Sequence, residues 1–252
     1  MRKMILVAAS GVAVLMAGAA LAATIPAYVN AAVADSARPD ADRQRDAGRK
    51  PAEVLALAGV KRGMKVGELI PGGGYYTRLL SDVVGSGGHV YGLWPDGMAK
   101  GAPQMLEAVA KIGPNVSNVT IGADTLNAPE KLDVVWTSEN YHDLHNPGRG
   151  AAPGTPQPDV RPFNKAVFDA LKPGGIYLIE DHAAAAGAGP EATVKMHRIE
   201  PGQVKAEVEA VGFKLVDQSD ALKNPADPHT SPVFSPDIRG HTDKLLFKFK
   251  KP

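Results

Sequence analysis

Short runs of this chain gather side chains that can move protons. Glu139, Asn140, Tyr141, His142, Asp143 and His145 stand close together, and Asp181-His182 and His197-Arg198 follow further on. Imidazole has the ordinary pKa closest to neutrality, so His142 or His182 could take a proton from a hydroxyl or amine. Asp143 or Asp181 could orient such a ring, and His197 could join it. Neutral imidazole with carboxylate oxygen could equally bind a divalent metal, and the residues alone leave that choice open. The chain has no cysteine, which excludes thiolate ligands, a cysteine nucleophile and a disulfide framework. Any one histidine is more often a satisfied structural residue, but the group together reads as functional. His89 opens a strand pattern and His241 precedes another, so both read as structural.

For these residues to meet, the chain must bring its runs to one edge. Apolar strand patterns at 64–70, 89–94, 116–121, 132–137, 176–180, 213–217 and 244–250 alternate with helix patterns at 51–58, 75–84, 103–112, 161–171 and 203–211. In the 75–84 segment Tyr76, Leu79, Leu80, Val83 and Val84 share one helical stripe. Continuous apolar strands between amphipathic helices imply a parallel sheet covered on both faces. Only an irregular stretch joins the last two strands, so an antiparallel pairing is expected there. In open parallel sheets ligands bind beyond the carboxyl ends of the strands. The two proton-moving runs follow the fourth and fifth strands, so they should face one crevice. Stretches 146–162 and 183–201, and a third at 223–240, are long enough to be covers over it.

The first strand leads into Val66-Gly67-Glu68-Leu69-Ile70-Pro71-Gly72-Gly73-Gly74-Tyr75-Tyr76-Thr77. A strand, a glycine turn and a helix let backbone approach a nucleotide-like ligand without an intervening side chain. Glu68 is placed to hydrogen-bond that ligand's amino or hydroxyl groups. Tyr76 falls on the buried stripe, whereas Tyr75 sits beside the glycines where it could cover a ligand. Trp94 and Trp136 end strands and read first as core.

The segment 51–94 resembles the first motif of class I S-adenosylmethionine-dependent methyltransferases. Leu132-Asp133-Val134-Val135-Trp136 resembles the family's fourth strand. The segment 163–181, with Leu171-Lys172-Pro173-Gly174-Gly175, resembles its later helix, turn and fifth strand. The chain also resembles a group of bacterial methyltransferases with signal peptides, through the glycine turn, Tyr141-His142-Asp143, Asp181-His182, His197-Arg198 and the closing 243–252. The resemblance implies a three-layer α/β, Rossmann-like methyltransferase fold, with a mostly parallel seven-stranded sheet and an antiparallel last strand. It implies S-adenosylmethionine held by Glu68, Pro71, Gly72, Gly73, Gly74 and Tyr75, with Asp124 at the position that contacts adenine. Two departures stand out. Ile70 occupies a position where the motif has glycine, and Trp94 stands where an acidic residue normally binds the ribose hydroxyls. Asp96, two residues later, is the remaining candidate for that role.

Of the 252 residues, 44% are hydrophobic and 22% charged, and the formal net charge is +1. That is the composition of a globular protein without a basic field for nucleic acid. Arg2 and Lys3 precede an apolar run to about Ala20, and Ala20-Leu21-Ala22 supplies small residues for cleavage. A signal peptide at 1–22, cleaved after Ala22, is therefore expected, giving a periplasmic or secreted protein with no remaining membrane anchor. Residues 23–50 mix charges of both signs and read as a solvated approach segment, followed by one methyltransferase-like domain at 51–252. Three functions are open: transfer of a methyl group to a small molecule with His142 as base, a metal-assisted or acid–base hydrolase or lyase at the His/Asp rim, and a non-catalytic periplasmic binding protein. The acceptor and the oligomeric state have no signature in the sequence.

Overall fold

The computed structural model describes residues 24–148, 152 and 155–252. The expected signal peptide lies outside the described residues. Among them, no helix is long and apolar enough to cross a membrane. The chain runs through α1 (Ala27–Ala34), α2 (Asp40–Arg43), α3 (Asp46–Arg49), α4 (Pro51–Ala58), β1 (Lys65–Leu69), α5 (Tyr75–Val84) and β2 (His89–Pro95). It continues through α6 (Asp96–Gly101), α7 (Pro103–Ala110), β3 (Val116–Ile121), β4 (Leu132–Ser138) and a 3-10 turn (His142–His145). Then follow α8 (Arg161–Ala170), β5 (Leu171–His182), α9 (Glu191–Met196), α10 (Pro201–Glu209), β6 (Lys214–Gln218) and β7 (Lys244–Lys250).

The strands form one seven-stranded sheet in the order β3-β2-β1-β4-β5-β7-β6. β1 to β5 pair in parallel, and β7 inserts antiparallel between β5 and β6. This is the three-layer architecture expected from the alternation of patterns. Successive strand side chains point to opposite faces, and the apolar runs supply both. Val134 and Trp136 of β4 pack with Leu79, Leu80 and Val83 of α5 and with Leu55 of α4. Val135, on the opposite face, packs with Phe163 and Val167 of α8 and with Val204 and Val208 of α10. α4 begins on Pro51, whose fixed φ suits a first helical turn, and ends on Gly59 at φ 73°.

The polar approach segment has more structure than its charges suggested. Residues 40–49 are largely exposed, as a solvated segment would be, but they form two short helices whose Asp42 and Asp46 reach the first turn of α5. Arg38 and Asp42 are both buried. Arg38 donates to both oxygens of Asp46 at 2.8 Å, the Tyr75 hydroxyl donates to Asp46 Oδ1 at 2.6 Å, and Arg78 Nε donates to Asp42 Oδ2 at 2.7 Å. Opposite charges three apart, as in Asp40/Arg43, are neighbours on a helix. That spacing was the signal for α2 and α3, and the charge mixture concealed it. Residues 171–175 are a second difference: Leu171 already pairs with Leu132, so β5 starts before the Pro-Gly-Gly turn and bulges against β4.

Candidate functional site

The glycine turn leaves β1 with Ile70 at φ 49°, in the left-handed region that a β-branched residue rarely adopts. Ile70 therefore holds a backbone shape that favours glycine, at a strain on the order of 1–3 kcal/mol. Gly72 and Gly73 face open space: a Cβ on either would meet nothing within 4 Å. They line a cavity of about 220 Å³ with Glu68, Pro71, Tyr75, Tyr76, Glu139, Asn140, Arg45 and Arg49. Asn140 Nδ2 donates to the Leu69 carbonyl at 2.9 Å, which ties the end of β1 to the loop after β4. Glu68 is buried and accepts a 2.6 Å hydrogen bond from the Thr77 hydroxyl. Burial pushes its carboxyl up to about 8, against the pull of Thr77 and of the Arg78 and Arg49 charges.

Beside this cavity, and sharing Arg45, Arg49 and Glu139 with it, lies a second of about 470 Å³. His182, Phe234, Arg239, His241 and Lys244 are also in its lining. Its floor is an ion cluster. Lys244 on β7 bridges Glu139 and Glu180, the latter at 3.1 Å, and Arg49 of α3 also binds Glu139. Burial opposes the Glu139 carboxylate, but Lys244 and Arg49 outweigh it and hold its pKa down at about 2. Glu139, like Ile70, has a positive φ, 58°. His182 donates to or accepts from the Thr242 hydroxyl at 2.7 Å, and burial pushes its pKa down to about 4, so it is neutral near pH 7.

The two proton-moving runs do meet. The parallel register sets Ser138 opposite Glu180, so the turn after β4 lies against the end of β5. Asp181 Oδ1 stands 2.8 Å from His142 Nδ1, and Asp181 Oδ2 accepts the His142 backbone N–H at 2.7 Å. His142 Nε2 lies 3.2 Å from Nδ1 of His197 and 3.5 Å from Oδ1 of Asp143. His142 and Asp181 are buried, while Asp143 and His197 are partly exposed. Burial works against the charged form of His142, but the adjoining Asp181 carboxylate prevails and raises its pKa. His197 is shifted the other way, by burial and then by the nearby His142 charge.

His182 stays apart, its ring centre 6.2 Å from that of His142. His145 turns away altogether, to Glu207 of α10 at 2.9 Å. Arg198 also leaves the rim: its side chain is fully buried against Asp227, with contacts of 2.8 and 3.1 Å. The Trp94 indole N–H donates to Asn118 at 2.7 Å within the core. Asp96 opens α6 at the surface and pairs with Lys100 at 2.6 Å, and Asp124 lines a separate groove near α8. Neither lines the glycine-turn cavity. Tyr75 does, buried beneath the guanidinium groups of Arg45 and Arg49, each 4.8 Å from its ring centre. His89 bonds Ser117, whereas His241, read as structural, lines the larger cavity. Arg45, Arg49 and Lys244 are the site residues that sequence reasoning missed.

No family model and no curated protein matches the chain. Solved structures do. A SAM-dependent methyltransferase from Aquifex aeolicus superposes with a TM-score of 0.56 at 18% identity, over 84% of this chain and 94% of that one. An arsenic(III) S-adenosylmethionine methyltransferase from Chlamydomonas reinhardtii gives 0.53 at 16% identity, over 89% and 73%. The [4+2]-cyclase SpnF gives 0.54 at 15% identity, over 84% and 81%. At these identities the likeness defines the fold. The chain has the class I methyltransferase fold, as its strand order and glycine turn indicate.

Proposed function

We propose that this chain is an exported S-adenosylmethionine-dependent methyltransferase acting on a small-molecule acceptor. The observation that carries the reading is the glycine-turn crevice, which holds a buried carboxyl and is lined by Glu139 and Asn140 of the loop that goes on to His142. The crevice residues fit the amino-acid end of that cofactor. Glu68 offers a carboxylate for its ammonium group, Arg45 and Arg49 offer positive charge for its carboxylate, and Gly72 and Gly73 let the backbone come close. Bound there, S-adenosylmethionine would supply an electrophilic methyl group.

The rest of the work falls to the chain. Asp181 accepts from Nδ1–H of His142, which leaves Nε2, 3.2 Å from His197 Nδ1, as the nitrogen that takes a proton from an acceptor hydroxyl or amine. The 470 Å³ cavity is of the size that small ligands occupy, roughly 300–1,000 Å³. The charged side chains among its lining, Arg45, Arg49, Glu139, Arg239 and Lys244, and the near-neutral chain favour a small acceptor with polar groups over a nucleic acid.

Trp94 favours a second reading. With its indole in the core and Asp96 at the surface, β2 presents no acid to a ribose. A cofactor-independent acid–base reaction at His142 and Asp181 would need none, and a protein described as a cyclase shares the fold. Titration calorimetry separates the two. The first reading expects stoichiometric binding of S-adenosylmethionine and S-adenosylhomocysteine, weakened at least tenfold in Arg49→Ala. Absence of heat with either compound at millimolar concentration would end it.

A further inference from the structure

The contact between His142 and His197 has an odd geometry for a histidine pair, because a third polar atom closes it into a triangle. His142 Nε2, His197 Nδ1 and Asp143 Oδ1 are 3.2, 3.5 and 3.9 Å apart. The circle through three points at those separations has a radius of about 2.1 Å, which is the length of a metal–imidazole or metal–carboxylate bond, roughly 2.0–2.2 Å. We propose that His142, His197 and Asp143 form a binding site for a divalent first-row transition-metal ion.

Three further features belong to a metal site more than to a hydrogen-bonded pair. The first is the carboxylate behind the ring. Asp181 accepts from His142 Nδ1–H at 2.8 Å and from the His142 backbone N–H at 2.7 Å, and also accepts the His182 backbone N–H at 2.7 Å. It is thereby fixed on its own backbone, and it fixes the His142 tautomer with the Nε2 lone pair turned into the triangle. Histidine ligands to metals almost always donate their other N–H in this way. The second is the backbone of His197. It caps α9 at φ 54°, the left-handed conformation in which glycine or asparagine usually ends a helix. Glycine would end α9 with less strain, but only a side chain reaches His142. The edge of Phe234 then packs on the His197 ring, with centroids 5.0 Å apart.

The third feature is access. His142 is buried, but Asp143 and His197 expose 28% and 32% of their side chains. Three ligands, one of them anionic, therefore leave part of the coordination sphere open to water or a substrate oxygen. Two imidazoles and one carboxylate suit zinc or iron(II) rather than magnesium or calcium. An ion there would take over the part given above to His142 Nε2, by binding and acidifying the acceptor's oxygen. The site itself stands whichever reaction the fold performs, so its test uses binding and not turnover.

Protein stripped with a chelator and returned to chelator-free buffer is titrated with Co²⁺, followed by visible absorption, and with Zn²⁺, followed by calorimetry. One ion per chain is expected, with the intense d–d bands of low-coordinate Co²⁺ and their loss when Zn²⁺ is added. His197→Gly should lose at least tenfold in affinity while melting no lower than the parent, since it relieves the left-handed strain. Asp143→Asn should lose a similar amount. Asp181→Asn should keep one site but bind 10- to 100-fold more weakly, as mutation of a supporting partner does. His229→Ala, at a separate His–Asp contact, should bind as the parent does. Absence of Co²⁺ binding at millimolar levels by the folded protein, or binding unchanged in folded His197→Gly and Asp143→Asn, would overturn the site and leave a hydrogen-bonded histidine pair.

Discussion

Replacing Glu68 with glutamine should change how the stability of this protein depends on pH, and the structure sets both sign and size. Glu68 lies near the end of the central strand β1, buried, with the Thr77 hydroxyl as its hydrogen-bond donor. Burial raises its carboxyl from an ordinary 4.5 to about 8. The folded protein therefore binds a proton there that the unfolded chain gives up, and stability falls as pH rises from about 4.5 to about 8. Below that window the contribution is intact, and above it the loss is complete. At 1.36 kcal/mol per pH unit the loss is on the order of 5 kcal/mol, comparable to the whole stability of many domains. Glutamine keeps an acceptor for Thr77 and cannot ionise. Urea unfolding of both proteins at pH 5, 7 and 9 should show Glu68→Gln gaining on the parent steadily with pH. Parallel profiles would refute the argument, because they would mean that Glu68 ionises at its ordinary pH and that water or a cation reaches it. The same carboxyl links stability to ligand binding: a cationic amino group bound in the crevice should expel its proton, so the heat of binding at pH 7 should vary with the buffer's ionisation enthalpy.

Glu139 works in the opposite sense. Its pKa is held at about 2 by Lys244 and Arg49, so it contributes stability above an ordinary 4.5 that disappears as pH falls through 2. Glu139→Gln should remove about 3 kcal/mol of acid sensitivity between pH 5 and 2, read from acid unfolding curves. Arg198→Ala leaves Asp227 charged and buried and should cost about 3–5 kcal/mol in urea unfolding. Arg198→Lys should restore little of it, since the two-pronged contact needs a guanidinium. Ile70→Asn should be about 1 kcal/mol more stable than Ile70→Ala in the same assay, because asparagine tolerates the left-handed backbone that alanine does not.

The layers of the fold could be read in advance because one physical rule produces them. α5 begins and ends at Tyr75 and Val84, as its apolar stripe requires, and β3 and β7 match their apolar runs. What pattern could not show is where polar side chains point once the layers close. Arg45 and Arg49 looked like a solvated run, yet they cover Tyr75 and enter both cavities. Their role depends on Asp42 and Asp46 finding partners across the chain. Trp94 and Asp96 show the same limit at the end of β2, where one side chain turns to the core and the next helix carries the other to the surface.

The histidine rim divides along this line. Two loops that follow adjacent parallel strands must be neighbours, so the meeting of His142 with Asp181 was legible from the order of the elements. The direction of each ring was not. Asp181 and His182 are successive residues of one strand, and alternation alone sends them apart, one to His142 and one to Thr242. His197 reaches His142 from 55 residues away only because one residue after α9 adopts a left-handed backbone. No spacing announces such a residue, because its energy is unfavourable locally and is offset by contacts made elsewhere. Strain of this kind recurs at Ile70, Glu139 and His197, all on the crevice side of the sheet. The regular elements minimise local energy and can be read locally. Ile70 and Glu139 depart from that minimum and line the crevice, and His197 departs from it to meet His142, which is why chemistry is the last thing here to be visible in the sequence.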